Sequence, residues 1–192
     1  MTLRIREMSA QDAPVVARLH ACSWRSAYRN ILSDCYLDGP VFEDRLTTWS
    51  RQLSAPPAGA IGLVADDEAE VQGFLFAIAG QHQKWGSYLD SLHVSPSQRG
   101  HGIGTKLLLD LRARLLGRRI GGGLYLWAVQ ENKRACDFYE GLGAVALDHA
   151  LHDVPGGKAV AECLYWWQTL EHLCSNLSDG TGSPKLDERR TR

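Results

Sequence analysis

The sequence predicts one mixed α/β domain, because strand-like and helix-like segments alternate along most of the chain. Tyr88–Val94 alternates and is rich in strand formers, and Pro96 ends it because proline has no N–H for a ladder. Thr105–Leu115 then places leucines at helical spacing. A chain of 192 residues is long enough to bury one core. We therefore expect a domain over residues 1–170 and a polar, disordered tail over 175–192.

The N-terminal third is predicted to hold one strand and three helices. Leu3–Arg6 alternates as a strand, and Ser9 with Asp12 resembles a capping box with Asp in place of Glu. Apolar residues at helical spacing predict a helix that runs to about Tyr28. A short second helix follows Ser33, and Phe42–Leu53 repeats the amphipathic pattern.

The remaining elements follow from alternation, capping residues and glycine breaks. Two strands form a hairpin around Asp66–Glu68, which we interpret as a solvated turn rather than a metal site. Asn132 caps a further helix that Gly141 or Gly143 ends. The other predicted strands are 60–65, 71–78, 124–129, 144–151 and 158–166.

Composition excludes several classes of protein. A net charge of −1 and a pI near 6.6 argue against a surface for nucleic acid or an anionic membrane. The N-terminus lacks the apolar run of a signal peptide. Five scattered cysteines without a C-x-x-C pair indicate reduced thiols and no zinc site, so we expect a cytoplasmic protein without a metal.

A glycine-rich turn joins the strand at Tyr88–Val94 to the helix after it. The turn is Arg99–Gly104, with glycine at every second position from Gly100. Glycine lets backbone N–H groups approach a ligand, and the first turn of a helix leaves about four N–H groups unpaired. These features predict a phosphate site.

Two common phosphate-binding motifs do not fit this turn. The dinucleotide fingerprint requires a third glycine where Leu107 stands, and it also requires an acidic residue about twenty positions later. A Walker loop fails because the order is Gly104-Thr105-Lys106.

The pattern that fits is R-x-x-G-x-G, filled by Arg99, Gly102 and Gly104. The segment 132–143 also matches N-x-x-A-x-x-F-Y-x-x-x-G at every named position. With these two motifs in this order, the chain resembles the GNAT superfamily of acetyl-CoA-dependent N-acetyltransferases. The resemblance implies a GNAT fold: a central mixed, largely antiparallel sheet flanked by helices.

The resemblance also implies which residues hold the cosubstrate, acetyl-CoA. Amides of the central strand would meet the thioester and pantetheine arm, the turn would hold the pyrophosphate, and Asn132 would cap its helix and contact pantetheine or adenosine. The cofactor-binding residues implied are Leu92, His93, Val94, Arg99, Gly100, His101, Gly102, Ile103, Gly104, Thr105 and Asn132.

Two side chains are candidates for proton transfer. Tyr139 occupies the motif position of a tyrosine that stands by the coenzyme sulfur, which implies a general acid, although it can also simply pack its helix on the sheet. Strict alternation places Asp90 on the face of Leu92 and Val94, where it can act as the general base or as a structural carboxylate. His20, His82, His101 and a water chain remain alternatives for the base.

The acceptor is expected to be a primary amine on a small molecule, attacked directly in a ternary complex. Trp24, Tyr28, Tyr36 and Trp49 either line that acceptor pocket or pack helices on the sheet. A protein N-terminus or lysine, and a non-catalytic acyl-CoA-sensing module, are the alternatives. We expect no nucleic-acid or membrane partner, and a homodimer stays open.

Overall fold

A computed structural model describes residues 3–67, 70–156 and 158–174 of the chain. Within these ranges, seven strands form one sheet in the order β1-β2-β3-β4-β5-β7-β6, and only the β4–β5 pair is parallel. The predicted mixed, largely antiparallel sheet is confirmed. The strands are β1 (Arg4–Glu7), β2 (Ala60–Asp66), β3 (Val71–His82), β4 (Gly86–Val94), β5 (Leu124–Val129), β6 (Val145–Val154) and β7 (Lys158–Trp167).

Helices cover both faces of this sheet. Their bounds are α1 (Ala13–Ala27), α2 (Asp34–Asp38), α3 (Val41–Ser54), α4 (Ile103–Gly117) and α5 (Lys133–Gly141), with single 3-10 turns at Ala10–Asp12 and Pro96–Gln98. The capping box is present before α1, where the Ser9 N–H donates to the Asp12 carboxylate at 2.7 Å.

Each face has its own core. On one face, leucines of α4 such as Leu107 and Leu111 are fully buried against Leu75 of β3 and Leu126 of β5. On the other face, α1 and α3 bury Trp49 against the phenylalanines of β3. Because successive side chains of a strand point to opposite faces, each strand contributes apolar side chains to both cores, as expected for a sheet buried on both sides.

Strand β4 contains a bulge at Asp90. Ser91 pairs with Phe76 and Leu89 pairs with Ala77, which leaves Asp90 as the extra residue. A bulge interrupts the strict alternation of side chains. Leu89 on one side of the bulge and Leu92 on the other therefore both belong to the core on the α4 face. The prediction that Asp90 follows the alternation of Leu92 and Val94 was wrong, because it assumed a regular strand.

Strands β4 and β5 separate after a short contact. Within these fully described strands, only Ser87–Leu124 and Tyr88–Tyr125 are paired. Beyond them, β4 continues alongside β3 and β5 continues alongside β7. The sheet therefore opens into a gap between β4 and β5.

Some predictions concern residues outside the described ranges. These are the tail at 175–192 and Glu68 of the acidic turn. Asp66, the first residue of this turn, ends β2 and accepts a hydrogen bond from Arg6 Nε at 2.7 Å. Among the described residues, no helix is long and apolar enough to cross a bilayer, and no group of three or more metal-ligating side chains converges.

Candidate active site

A cavity of about 810 Å³ occupies the gap between β4 and β5. Its walls come from β4, β5, the glycine turn, the start of α5 and the C-terminal end of α1. Every residue predicted to hold the coenzyme lines this cavity except His101, and both proton-transfer candidates, Tyr139 and Asp90, line it as well.

The glycine turn leaves the N-terminus of α4 without a cap. Gly100 and Gly102 have φ of +85° and +76°, a left-handed conformation that favours glycine. The first backbone bond of α4 runs from Lys106 N to Gly102 O at 3.0 Å, and among the described residues no side chain caps the start of this helix. The N–H groups of Ile103, Gly104 and Thr105 therefore lack partners within the helix. Together with the helix dipole, they form a site for an anion at the cavity wall.

The turn also has the space that a phosphate group needs. Apart from the two chain neighbours of each glycine, a Cβ built on Gly100 or Gly102 would meet no atom of the described residues within 4 Å. Glycine is therefore required at these two positions by the left-handed backbone and by the space that a bound phosphate needs. Packing against the rest of the protein does not require it. Gly104 differs, because its Cβ would lie 3.2 Å from the Phe138 ring and would press α4 away from α5.

Three cationic residues line the cavity: Arg99, Lys133 and Arg134. Burial and the nearby Arg134 lower the pKa of Arg99. The Arg99 guanidinium reaches α1, where it donates to Ser26 Oγ at 2.9 Å and Ser23 Oγ at 3.2 Å. It thereby ties the turn to α1.

His101 is exposed, and its ring packs back on the turn. Its Nδ1 lies 3.2 Å from Gln98 O, and the residue is absent from the cavity wall. The glycines on either side of it, Gly100 and Gly102, do line the wall.

The register of β3 and β4 identifies the amides that face the gap. Ser95 N–H donates to Gln72 O at 2.8 Å, which makes this a hydrogen-bonded pair. In an antiparallel ladder such pairs alternate, so the His93 N–H also points to β3. The Leu92 and Val94 amides then point to the opposite side, where β5 has diverged. Of the three strand N–H groups predicted to bind the coenzyme, those of Leu92 and Val94 are therefore available to a ligand. The N–H group of His93 is used in the pairing with β3.

Tyr139 is buried at the floor of the cavity. Its ring packs on Phe138 and Trp167, with centroids 5.3 and 6.1 Å away. Burial, followed by the nearby Tyr28, raises the pKa of Tyr139, so the phenol keeps its proton at neutral pH. No protein group within the described residues binds its hydroxyl, which leaves the O–H available for a ligand atom.

Asp90 has an exposed side chain that is nevertheless surrounded by the walls of the cavity. Ser91 Oγ donates to its carboxylate at 2.9 Å. Desolvation raises the pKa of Asp90 above its ordinary value, while Ser91 and the cation of Arg45 act in the opposite direction. A carboxylate with a raised pKa is a stronger base than an ordinary aspartate.

Two histidines lie between α1 and β4, with ring centroids 4.2 Å apart. Trp49 Nε1 donates to His20 Nδ1 at 3.0 Å, so the proton of this buried ring is on Nε2. His93 lines the cavity, and its Nδ1 lies 3.0 Å from Ser23 Oγ. Burial and then Arg99 lower the pKa of His93 to about 3, which makes it a weak base. His20 does not line the cavity, and neither does His82.

Of the four aromatic residues predicted as candidates for the acceptor pocket, Tyr28 alone lines the cavity. Trp49 and Tyr36 belong to the core, and Trp24 packs partly buried beside Tyr36. Burial raises the pKa of Tyr28 to about 12, against the effect of a hydrogen bond with Asn132.

Sequence reasoning did not identify Ser23 or Trp127 as wall residues. No motif marks either of them, and their role follows only from where α1 and β5 meet the gap.

Comparisons with known proteins agree with this geometry. A model of the acetyltransferase (GNAT) family matches residues 22–144, which include both motifs and most of the cavity wall. The chain is 27% identical to a probable N-acetyltransferase of Mycobacterium tuberculosis over 138 residues, which are 72% of this chain and 77% of that protein.

Two further likenesses are more limited. Over 63 residues, 33% of this chain and 36% of the relative, the chain is 38% identical to thialysine N-epsilon-acetyltransferase of Bos taurus. The crystal structure of the PaiA N-acetyltransferase of Thermoplasma acidophilum with coenzyme A superposes with a TM-score of 0.62 at 22% identity. It covers 84% of this chain and 98% of that one. This second likeness shows a shared fold.

Proposed function

Because the chain belongs to the acetyltransferase (GNAT) family, we propose that it transfers an acetyl group from acetyl-CoA to a primary amine of a small molecule, by direct attack in a ternary complex. Dependence on acetyl-CoA and N-acetyltransferase activity follow from the family. The observation that carries the rest is the gap between β4 and β5. There the Leu92 and Val94 amides, Tyr139 and Asp90 meet one cavity.

The residues present fit coenzyme A. The uncapped start of α4 and the open space over Gly100 and Gly102 suit a pyrophosphate, and Arg99, Lys133 and Arg134 suit its charge. The free edge of β4 offers peptide groups to the amides of a pantetheine arm.

Acetyl transfer needs a donor for the carbonyl oxygen that becomes negative. A β4 amide at the gap, from Leu92 or Val94, is suited to that role because it is held rigid by the β3 ladder. One such donor contributes roughly 2.7–4 kcal/mol in other enzymes.

Two proton transfers accompany the attack. A lysine-like ammonium has a pKa of about 10.4, so it must lose a proton before its nitrogen can bond to the carbonyl carbon. Asp90 accepts that proton, directly or through a water, and its raised pKa suits the task. As the carbon–sulfur bond breaks, the Tyr139 hydroxyl gives its proton to the sulfur. Solvent exchange restores both groups.

Two observations favour a small acceptor. Tyr28 and Trp127 contribute aromatic side chains to the cavity wall, which suits a partly enclosed pocket. One relative is named for acetylating the ε-amine of thialysine, an amino acid.

The test is an acceptor screen with the purified chain, in which release of coenzyme A thiol is followed. We expect small primary amines to be acetylated and their N-acetylated forms to be inert. With a working amine, initial-rate lines at several fixed coenzyme concentrations should intersect, as a ternary complex requires. Parallel lines would indicate a covalent intermediate. Turnover with peptides alone would contradict a small-molecule acceptor.

A further inference from the structure

We infer that β6 is an interaction surface for a second copy of this chain, so that two sheets join edge to edge. The pairing is antiparallel and is centred on Leu151. This inference concerns assembly and does not rest on the proposed function. It is carried by the exposure of β6, by the direction of its backbone groups and by the order of its side chains.

β6 is the last strand at one edge of the sheet, and its side chains are open to solvent. The strand has 10 residues, and none of them is buried. Among the described residues, five large apolar side chains are exposed, and three of these belong to β6: Val145, Leu147 and Leu151, with exposed fractions of 58%, 45% and 74%. Apolar side chains concentrated on an unpaired strand indicate a surface that another chain covers.

The opposite edge of the sheet has protection that β6 lacks. That edge is β1, which has 4 residues, and Arg6 within it is held by Asp12 and Asp66. Short length and long charged side chains are common means by which an edge strand avoids pairing. β6 is longer and contains no lysine, arginine or proline. Its bulge, at Leu147, lies near its start and leaves residues 148–154 in regular register.

The ladder shows which backbone groups of β6 point to the outer edge. Ala161 of β7 lies opposite Leu151, yet its carbonyl accepts from the Gln130 N–H at 2.8 Å, on the side of β5. In an antiparallel ladder the N–H and C=O of one residue point to the same side. Ala161 therefore faces β5, the Leu151–Ala161 pair is not hydrogen-bonded, and the N–H and C=O of Leu151 point away from β7.

Two neighbours of Leu151 point the same way. Because backbone direction alternates along a strand, His149 and Asp153 also present N–H and C=O to the outer edge. The His149 N–H agrees with this direction, since it donates to the Asp148 carboxylate of its own strand at 2.8 Å. We call His149, Leu151 and Asp153 the edge triplet.

The edge triplet selects one register between two copies. Centring the pair on Leu151 places His149 opposite Asp153 of the second copy, and every member of the triplet then lies in a hydrogen-bonded pair. A shift in one direction would bring His149 opposite Pro155, which has no N–H. A shift in the other direction would bring Asp153 opposite the bulged Leu147.

Side-chain chemistry favours the same register. Members of the edge triplet are two positions apart, so their side chains lie on one face of the sheet. The His149 imidazole has an N–H donor in either protonation state, and it would meet the Asp153 carboxylate of the second copy. Two-fold symmetry forms this pair twice, and between the pairs the two Leu151 side chains would shield each other from water. This reciprocity assigns the partner as a second copy of the chain.

The experiment measures molar mass by light scattering over a series of concentrations of the full chain. We expect the mass to rise from the 21.2 kDa of one chain towards twice that value. Leu151→Lys places two ammonium groups opposite each other at the centre of the pair and should keep the chain monomeric. Leu116→Lys is the matched control, because Leu116 is 44% exposed but lies on α4. It should associate as the parent does, and circular dichroism should show that both variants are folded.

A charge exchange tests the register. His149→Asp places a carboxylate opposite Asp153 of the second copy in both symmetric pairs, and it should weaken association by about 5- to 30-fold. Combining His149→Asp with Asp153→His restores opposite partners and should recover the parental affinity. A parent that stays monomeric at every concentration would overturn the inference. A dimer that persists in Leu151→Lys, or parental affinity in His149→Asp alone, would overturn it as well.

Discussion

At the scale of single residues, the hydroxyl of Tyr139 is separable from its ring. The ring packs in the core, and the hydroxyl has no protein partner among the described residues. Tyr139→Phe should therefore lower kcat by about 10²- to 10⁴-fold, the usual contribution of a general acid, and leave coenzyme binding nearly unchanged. Single-turnover rates and equilibrium binding of coenzyme A measure the two quantities.

Tyr165 provides a matched control. It is also buried, but its hydroxyl donates to Glu140 at 2.7 Å and it does not line the cavity. Tyr165→Phe should reduce the free energy of unfolding by about 1 kcal/mol and leave turnover per folded molecule intact. If Tyr139→Phe turned over at the rate of the parent protein, the hydroxyl would not be the general acid and Tyr139 would serve only in packing.

Asp90 affects activity and stability in opposite directions. A base must be ionised, so kcat/KM should fall as pH falls through the raised pKa of Asp90. Asp90→Asn should lower kcat and flatten this acidic limb of the pH profile. A loss confined to KM would instead show that Asp90 only holds the acceptor.

The same variant has a stability readout. A carboxyl whose pKa is raised by folding opposes folding above that pKa, and the penalty disappears below the unfolded value of about 3.9. Asp90→Asn should therefore melt higher than the parent at neutral pH, and the difference should vanish as pH approaches 4. A lower melting temperature at neutral pH would indicate a structural role for the carboxylate.

At the scale of elements, the junction of β4 and α4 depends on two left-handed glycines, Gly100 and Gly102. Gly102 precedes α4 with φ of +76°. Gly102→Val should lose coenzyme A binding for two reasons: a β-branched residue disfavours this conformation by roughly 1–2 kcal/mol, and its side chain would occupy the ligand's approach. Calorimetric titration measures the loss.

Gly117, at the other end of α4, is the control for this substitution. It has open space for a Cβ and no positive φ. Gly117→Val should keep full coenzyme affinity, so any loss there would mean that changes in α4 propagate to the turn. Retained affinity in Gly102→Val would remove the turn from the coenzyme site.

At the scale of the whole molecule, the cavity joins parts of the chain from Ser23 to Tyr139. A ligand that binds only this assembled cavity stabilises the entire fold. Acetyl-CoA at a hundred times its Kd should add about 2.7 kcal/mol to the free energy of unfolding. For a chain of this length the melting midpoint should rise by roughly 5–10 °C. An unchanged midpoint at saturating ligand would contradict the predicted site, and Gly102→Val should show no rise.

Much of the fold and of the site could be predicted because its signals are local. The helix starting near Thr105 follows from leucine spacing, and the turn before it follows from glycines whose φ only that residue adopts easily. The capping box at Ser9 was visible for the same reason, since both partners lie within one turn. The family was predicted from two such segments and is confirmed.

What the sequence could not provide depends on contacts between distant segments. Alternation misplaced Asp90, because a bulge exists only relative to the partner strand, where Phe76 and Ala77 fix it. No sequence pattern separates Tyr28 from Trp24, Tyr36 and Trp49. Among these four, the packing of α1 on the sheet brings Tyr28 alone to the cavity.

The sequence by itself therefore determined the mixed α/β class, the glycine turn at a helix start and the family, since each is written within a few consecutive residues. Tertiary structure decided which N–H groups of β4 have no partner strand. Their availability depends on where β5 separates from β4, which is after Tyr125. It also decided that Asp90 and Trp127 line one cavity, although 37 positions separate them in the chain. Pairing across a sheet brings such residues together, and no local pattern records it.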